Sequence, residues 1–193
     1  MSTTRNSNQI YFEYLKKRSF LGSLYRQFVL YPRLNFYLKG KVLDIGCGIG
    51  DMLSYRKNTV GLDVNPLNVA FCKKRKLTAH LMKPNMIPFG DKTFDSVMLD
   101  NVLEHIESPS LLFKEIRRVL KPEGLVLIGV PGEKGYQSDD DHKIFYDEKK
   151  LQALAQKNNF NIDQFFYTPL MKSKFLSQHV RQYCIYSLWS LRK

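Results

Sequence analysis

Short apolar runs alternate with amphipathic stretches from Lys41 to the end of the chain. Runs bounded by turn residues predict strands, and apolar positions three and four apart predict helices. Alternation of the two is typical of βαβ units and a parallel sheet. The predicted strands are Lys41–Ile45, Thr59–Asp63, Ala79–Met82, Phe94–Leu99, Gly124–Val130, Phe160–Thr168 and Gln182–Leu191.

Helices are predicted between these strands. Ser108 is the expected N-cap of the clearest one, because Pro109 after it suits a first helical position. The predicted helices are Asp51–Arg56, Pro66–Lys76, Pro109–Leu120 and Glu148–Asn158.

The hydrophobic pattern of the N-terminal segment differs from that of the rest of the chain. Residues 8–38 predict two short helices, separated by Gly22, with Pro32 ending or kinking the second. We therefore expect a helical extension, residues 1–38, followed by one α/β domain, residues 39–193.

Composition narrows the class of protein. The chain has 193 residues, of which 44% are hydrophobic, enough for a full core. It has no apolar run of the ~18–20 residues that span a bilayer and no secretory signal pattern. Its three cysteines match no metal motif. We expect a cytoplasmic protein with reduced thiols.

Positive charge is concentrated in the first half. Residues 1–80 carry 14 basic and 4 acidic side chains, a balance of +10 out of the total of +12. Such a balance suits nucleic acid, an anionic membrane surface or an anionic substrate, and equally a merely solvated face.

The clearest motif is a glycine-rich turn, Val42 to Gly50, with the sequence VLDIGCGIG. Glycines there allow a sharp strand-to-helix turn and a close approach of the backbone to a ligand. The dinucleotide fingerprint requires a further glycine where Asp51 stands, and the phosphate-loop pattern is absent. An acid at this point favours a cationic or zwitterionic ligand.

A carboxylate ends the second predicted strand, at Asp63. At this position a carboxylate can bind both ribose hydroxyls of a nucleoside. The alternative is a cap for the helix that begins near Pro66.

With these motifs in place, the chain resembles the class I S-adenosylmethionine-dependent methyltransferases, and in particular the small-molecule branch called type 11 or 12. The resemblance covers about residues 40–160 and rests on VLDIGCGIG, GLDVN, IPFGDKTFDSVMLDNVLEHIESP and RRVLKPEGLVLIGVP. It implies a Rossmann-like α/β fold with a seven-stranded sheet in the order 3-2-1-4-5-7-6. It also implies S-adenosyl-L-methionine as cofactor.

The resemblance assigns cofactor contacts by position. Asp44 and the glycine turn would hold the methionine end, Asp63 the ribose and Val64 the adenine. Lys83 replaces the acid that the family commonly places near the adenine, so Asn85 and Met86 are the candidates there. The implied cofactor-binding residues are Asp44, Gly46, Cys47, Gly48, Gly50, Asp63, Val64, Asn85, Met86 and Asp100.

Candidates for the chemistry follow the fourth and fifth strands. His142, after three aspartates, and His105, beside Glu104, could act as general bases, although either could be structural. Glu104 and His105 with Asn101 also resemble a metal arrangement of some quinone O-methyltransferases. Asn101 stands where that pattern prefers an acid, so no metal is expected.

The N-terminal helices could cover the cofactor through Tyr11, Tyr14 and Arg18, or pack on the sheet edge with a basic face in water. The basic segment Lys172–Arg181 is expected over the acceptor site, between the last two strands.

The function predicted is methyl transfer to a small-molecule, lipid-linked or nucleotide-linked acceptor, at oxygen. The acceptor is expected to be anionic, with peripheral contact to a membrane surface. Nucleic acid is not expected as a partner, since the Asp-Pro-Pro-type motif of base methyltransferases is missing. RNA or protein methylation and a catalytically degenerate partner subunit remain alternatives.

Overall fold

A computed structural model of the chain describes residues 2–17 and 19–192. Seven strands form one sheet in the order β3-β2-β1-β4-β5-β7-β6. This confirms the predicted fold class. The strands are β1 Val42–Ile45, β2 Thr59–Asp63, β3 Ala79–Leu81, β4 Phe94–Asp100, β5 Leu120–Pro131, β6 Phe160–Thr168 and β7 Cys184–Leu191.

Helices cover the sheet on both faces. Two irregular turns accompany them, a π-helical turn at Arg26–Leu30 and a 3-10 turn at Leu103–His105. The α-helices are α1 Ser2–Lys16, α2 Phe20–Tyr25, α3 Tyr31–Tyr37, α4 Asp51–Tyr55, α5 Pro66–Lys74, α6 Ser110–Val119, α7 Glu133–Tyr136, α8 Glu148–Lys157 and α9 Lys174–His179.

Strand direction brings the site residues to one edge. β1 to β5 are parallel, so their carboxyl ends meet at the same edge. β7 is antiparallel to β5, and Cys184 pairs with Pro131. The first residues of β7 therefore lie at the edge where β5 ends.

The core is divided by the sheet. On one face, α6 and α8 bury Phe113, Leu151 and their neighbours against Trp189. On the other face, Leu34 of α3 packs with Met98 of β4 and Tyr186 of β7. The N-terminal segment thus supplies part of one helical layer.

Two predictions about this segment were wrong. Gly22 lies inside α2, and the break falls before it, between Lys16 and Phe20. Pro32 does not end the second helix, because the helical backbone continues from the π-helical turn through α3; the alternative that Pro32 kinks it stays a prediction. The π-helical turn just before it joins the two helices.

Other boundaries differ for local reasons. The N-cap position of α6 is occupied by Pro109 rather than Ser108, with no side-chain cap. β5 begins at Leu120, before the predicted Gly124, because Leu120 already pairs with Phe94 ahead of an irregularity in the register. α7 and α9 were not among the predicted helices; α9 forms within the basic segment Lys172–Arg181.

Among the described residues, none of the helices combines the length and the apolar character that a membrane span requires.

We expect Gly46→Ala to be strongly destabilising. Gly46 has φ +75°, and a Cβ there would lie 2.4 Å from a methyl carbon of Val102. Backbone strain and overpacking together should lower the free energy of unfolding by about 2 kcal/mol or more, measured by urea denaturation.

Gly90→Ala is the matched control, since the nearest atom to its Cβ would be 3.8 Å away. It should change the free energy of unfolding by less than about 0.5 kcal/mol. If the two variants lost the same free energy of unfolding, the conclusion that Gly46 must be glycine would be contradicted.

Candidate active site

A cavity of about 480 Å³ lies at the carboxyl edge of the sheet. It is lined by the glycine turn, the ends of β4 and β5, the start of β7, and residues of α1, α2 and the π-helical turn. Seven of the predicted site residues line it together: Asp44, Gly46, Cys47, Gly48, Asp100, His105 and His142.

The glycine turn is held by hydrogen bonds between β1 and β2. The amides of Gly46 and Cys47 both donate to the Leu62 carbonyl, at 2.7 and 3.0 Å. The Gly48 amide donates to Oδ2 of Asp63 at 2.8 Å. Gly46 and Gly48 have φ of +75° and +53°, which glycine adopts without strain.

Carboxylates are concentrated beneath this turn. Asp44 is buried, and burial, reinforced by Asp100 and Asp63, raises its pKa well above the ordinary value. Asp100 accepts hydrogen bonds from Tyr186 at 2.7 Å and from the Asn101 amide at 2.9 Å. A cation bound here would offset the mutual repulsion of these acids.

Asp63 takes a structural position in the turn. It is 6% exposed, and besides the Gly48 amide it accepts from the Asn65 amide at 2.8 Å and from the Asn68 side chain at 3.2 Å. The Val64 amide also donates to this carboxylate, so a ribose hydroxyl would share an oxygen with these donors. The alternative that Asp63 caps α5 was wrong, because the cap is Asn65, whose side chain accepts from the Leu67 amide at 3.0 Å.

The remaining predicted contacts lie outside the cavity. Gly50, with φ +80°, begins α4 and is packed against Cys72 and Leu77. Val64 and Met86 are 56% and 59% exposed at the ends of β2 and of the segment after β3. Asn85, with φ +59°, stands beside Met86 in a tight turn.

Helix α1 lies over the glycine turn. Leu15 is 4% exposed, and a Cβ on Gly48 would lie 3.2 Å from its methyl group. The Asn65 side chain donates to the Asn8 carbonyl at 2.9 Å. Tyr11 and Tyr14 both line the cavity. α1 also packs on α5 through Phe12 and Phe71, so a role in covering the cofactor stays a prediction.

Arg18, which could have joined this cover, lies outside the described residues. Tyr14 lines the cavity, and its hydroxyl accepts a short hydrogen bond from the Arg181 guanidinium. Arg181 belongs to the basic segment predicted over the acceptor site, and it lines the cavity there.

Two histidines face the cavity from different loops. The loop of His142 is fixed by main-chain bonds, because the amides of Lys143 and Ile144 donate to the Glu104 carbonyl at 2.8 and 3.1 Å. The His105 and His142 rings are 4.7 Å apart, centroid to centroid. Burial and the neighbouring His142 lower the pKa of His105, which favours its neutral form.

Glu104 lies beneath these rings. It is fully buried, and burial raises its pKa to about 8. Neither carboxyl oxygen has a hydrogen-bond partner within the described part of the chain. Nδ1 of His142 is 2.8 Å from the Tyr136 carbonyl and Nε2 is 3.8 Å from Oε1 of Glu104.

Sequence reasoning missed part of the cavity wall. Arg26 of the π-helical turn donates a hydrogen bond to Tyr31, and the negative charge of Asp100 stabilises its guanidinium cation. Arg26, Tyr31 and Tyr186 all line the cavity. Their sequence neighbourhoods carry no motif, and only the packing of α2 and α3 against β4 and β7 brings them there.

Comparison with known proteins agrees with this geometry. Residues 43–128 match the family described as methyltransferase domain. An uncharacterized protein of Methanocaldococcus jannaschii is 37% identical over 128 residues, covering 64% of this chain and 54% of that protein. A probable S-adenosylmethionine-dependent methyltransferase of Mycolicibacterium smegmatis is 31% identical over 151 residues, covering 72% of this chain and 59% of that protein.

Residues 43–128 are therefore a methyltransferase domain, similar to those of S-adenosylmethionine-dependent methyltransferases. Its fold matches the crystal structure of a Thermotoga maritima S-adenosylmethionine-dependent methyltransferase, described as a possible histamine N-methyltransferase, with a TM-score of 0.74. That alignment has 18% identity and covers 96% of this chain and 98% of the other. The chain spans about half the length of the first curated relatives that it matches.

S-adenosyl-L-methionine is the methyl donor named for the Mycolicibacterium smegmatis relative. The donor set fits it, because the cofactor carries a sulfonium and an ammonium cation and the turn presents the buried acid Asp44 beside Asp100. The close backbone approach that a ligand needs is available at Gly46 and Gly48, where a side chain would fill the space.

We expect Asp44→Asn to gain stability relative to the wild type as pH rises. Burial raises the pKa of Asp44 in the folded protein, so the folded state binds this proton more tightly than the unfolded chain does. The stability that it contributes is complete below its ordinary pKa and is lost as pH rises through the folded-state value. The measurement is urea denaturation without cofactor at about pH 5 and about pH 8.

Asp163→Asn controls for the loss of one formal charge, because Asp163 is exposed on β6 and its carboxylate accepts a hydrogen bond from the Ser190 hydroxyl at 2.9 Å. A difference between Asp44→Asn and wild type that stays constant or shrinks with pH would refute the prediction.

Proposed function

We propose that this methyltransferase transfers the methyl group of S-adenosylmethionine to an oxygen of a small-molecule acceptor that carries a lipid chain. One observation carries the proposal: a single cavity joins the acid-lined glycine turn to the His105–His142 pair. The turn supplies a binding place for a cationic methyl donor, and the imidazoles can accept the proton of the acceptor's hydroxyl.

The cofactor contacts proposed are those predicted from the sequence. Asp44 would attract the ammonium of the methionine part, with Asp100 near it. The turn of Gly46, Cys47, Gly48 and Gly50 would surround the sulfonium end, Asp63 would accept from the ribose, and Val64, Asn85 and Met86 would border the adenine. The exposure of Val64 and Met86 supports contact with a ring lying over the sheet edge.

When bound, the cofactor supplies an electrophilic methyl group on a positively charged sulfur. The protein's contribution is alignment of the acceptor oxygen with the methyl carbon, together with removal of the hydroxyl proton. The oxygen–carbon bond forms as the carbon–sulfur bond breaks, and the sulfur becomes neutral. His105 and His142 are proposed to activate the oxygen, because both line the cavity that the glycine turn also lines.

The mouth of the cavity supports a lipid-linked acceptor. Phe20 and Leu21 are both 76% exposed and adjoin the lining residues Ser19 and Gly22. On another side, Leu170 and Met171 are 65% and 68% exposed in the loop after Thr168, a lining residue, and the Arg33 guanidinium donates to the Leu170 carbonyl. Exposed apolar side chains grouped around an opening mark sites for apolar ligands or surfaces.

Basic side chains adjoin the same rim. Lys17 lines the cavity and is close to Phe20 in the sequence. Lys172 and Lys174 follow Met171 in the sequence. The combination supports transient contact with an anionic membrane surface, through apolar insertion and charge attraction together. An acceptor held in such a membrane would reach the cavity without leaving the lipid.

We expect wild type to bind S-adenosylmethionine with micromolar affinity in a calorimetric titration. Asp44→Asn should bind at least about tenfold more weakly, because it loses a charge-assisted contact to a cation. Asp63→Ala should lose more, since it also releases the Gly48 amide. Asp163→Ala is the control expected to bind like wild type. A folded wild type that does not bind would contradict the enzyme proposal and favour a partner subunit.

We expect longer acceptors to react faster. The assay measures S-adenosylhomocysteine production with long-chain fatty acids and prenylated hydroquinones, each against its short-chain counterpart. The long-chain member should have a kcat/KM at least about tenfold higher, from burial of extra methylenes at ~0.8 kcal/mol each. Equal values for both members would contradict the lipid-linked part of the proposal.

The double variant Phe20→Ser, Leu21→Ser tests the rim. It should reduce sedimentation with vesicles that contain anionic lipid and reduce turnover of the long acceptor, with the short one unaffected. Leu111→Ser, on α6 at 63% exposure, is the matched control. Loss of sedimentation in the control variant as well would argue against a specific rim.

A further inference from the structure

The unsatisfied Glu104 carboxylate is the feature that the proposed function leaves unexplained. Glu104 is fully buried, and neither of its side-chain oxygens has a hydrogen-bond partner among the described residues. Burial of a polar group without a partner costs free energy, so buried polar groups in folded proteins are normally paired. The carboxylate is aimed at His142, not at an apolar wall.

The distances around the Glu104 carboxylate are too long for a direct hydrogen bond and suit a metal ion between the side chains. Oε1 of Glu104 is 3.8 Å from Nε2 of His142, beyond hydrogen-bond range. One possible ligand atom from each of Glu104, His105 and His142 lies within 4.8 Å of the others. Ligands of one metal ion at ~2.0–2.2 Å stand about 3–3.5 Å apart, so a contraction of about 1 Å would complete the coordination.

The outer contacts orient both imidazoles. Nδ1 of His142 lies 2.8 Å from the Tyr136 carbonyl, so that nitrogen carries the proton and donates it. The lone pair of Nε2 then faces Glu104, as in metal-ligating histidines whose other nitrogen donates to a carbonyl. Nδ1 of His105 is 3.4 Å from Oδ2 of Asp141. Each ring thus has an outer oxygen acceptor.

We infer that Glu104, His105 and His142 form a binding site for one divalent transition-metal ion at the acceptor end of the cavity. Two imidazoles and one carboxylate suit Zn²⁺ and its neighbours Co²⁺ and Fe²⁺. Three protein ligands leave coordination positions open toward the cavity, which is the arrangement of a catalytic rather than a structural site.

This inference revises the sequence-based expectation of no metal. Asn101 was the third candidate there, but its amide donates to Asp100 at 2.9 Å. His142, 38 positions after Glu104 in the chain, stands in the third place instead. The metal's role rests on the proposed function but replaces the base role given there to His105 and His142, which become ligands. The metal would bind the acceptor oxygen and lower the pKa of its hydroxyl, and the proton would pass to solvent water.

The test is metal binding without cofactor or acceptor. Chelator-treated wild type is titrated with Co²⁺, followed by visible absorption, and with Zn²⁺, followed by calorimetry. One ion per chain is expected. His142→Ala and the nearly isosteric Glu104→Gln should each bind at least about tenfold more weakly. His80→Ala, on β3 and outside the cavity lining, is the control expected to match wild type.

Buried thiols at Cys47, Cys72 and Cys184 are the competing ligands. Thiolate coordination gives Co²⁺ an intense charge-transfer band in the near ultraviolet, and a Cys47→Ser variant would lose it. The inference is overturned by such a band, by equal affinity in Glu104→Gln and wild type, or by no binding to folded wild type. If His142→Ala does not fold, Glu104→Gln decides. Cofactor titration separately reports on the proposed function.

Discussion

The hydrogen bond from the Gly48 amide to the Asp63 carboxylate joins the ends of the two strands on which the site depends. It requires a left-handed backbone at Gly48, which in turn requires glycine, and it requires a carboxylate at the tip of β2. The same turn places Asp44 under its first glycine and turns the chain into α4. Without this bond the sheet edge would retain its strands but lose the shaped concavity for a cationic ligand.

The grouping of Asp44, Asp63 and Asp100 at the glycine turn lowers the stability of the folded protein, and the binding of a cation explains why it is there. Asp44 is buried near Asp100 and Asp63, and its proton is held more tightly than in the unfolded chain. Such an arrangement is unfavourable for stability alone. It becomes favourable when a cation binds, so the free energy stored as repulsion between carboxylates is available as affinity for the cofactor.

The N-terminal segment gives the cavity its other half. α3 fills one face of the sheet through Leu34, and this packing carries Arg26 and Tyr31 to the carboxyl edge. α1 then covers the glycine turn through Leu15. The same segment that contributes to the core therefore also encloses the site and presents the exposed Phe20 at its mouth. Its aromatic side chains serve both the packing and the lining of the cavity.

The sequence alone determined the sheet, its order through the family motifs, and the local parts of the site. The glycine turn and Asp63 could be predicted because their conformation depends on residues adjacent in the chain. The side chains near Glu104 could not be predicted, because His142 lies on a loop that follows another strand. Main-chain hydrogen bonds hold that loop in place, and such bonds leave no pattern in the sequence. Pro32 was misread for the same reason, since its place depends on a π-helical turn and on packing. Only the tertiary structure could bring these distant segments together, because their contacts follow from the packing of helices on the sheet and not from spacing along the chain.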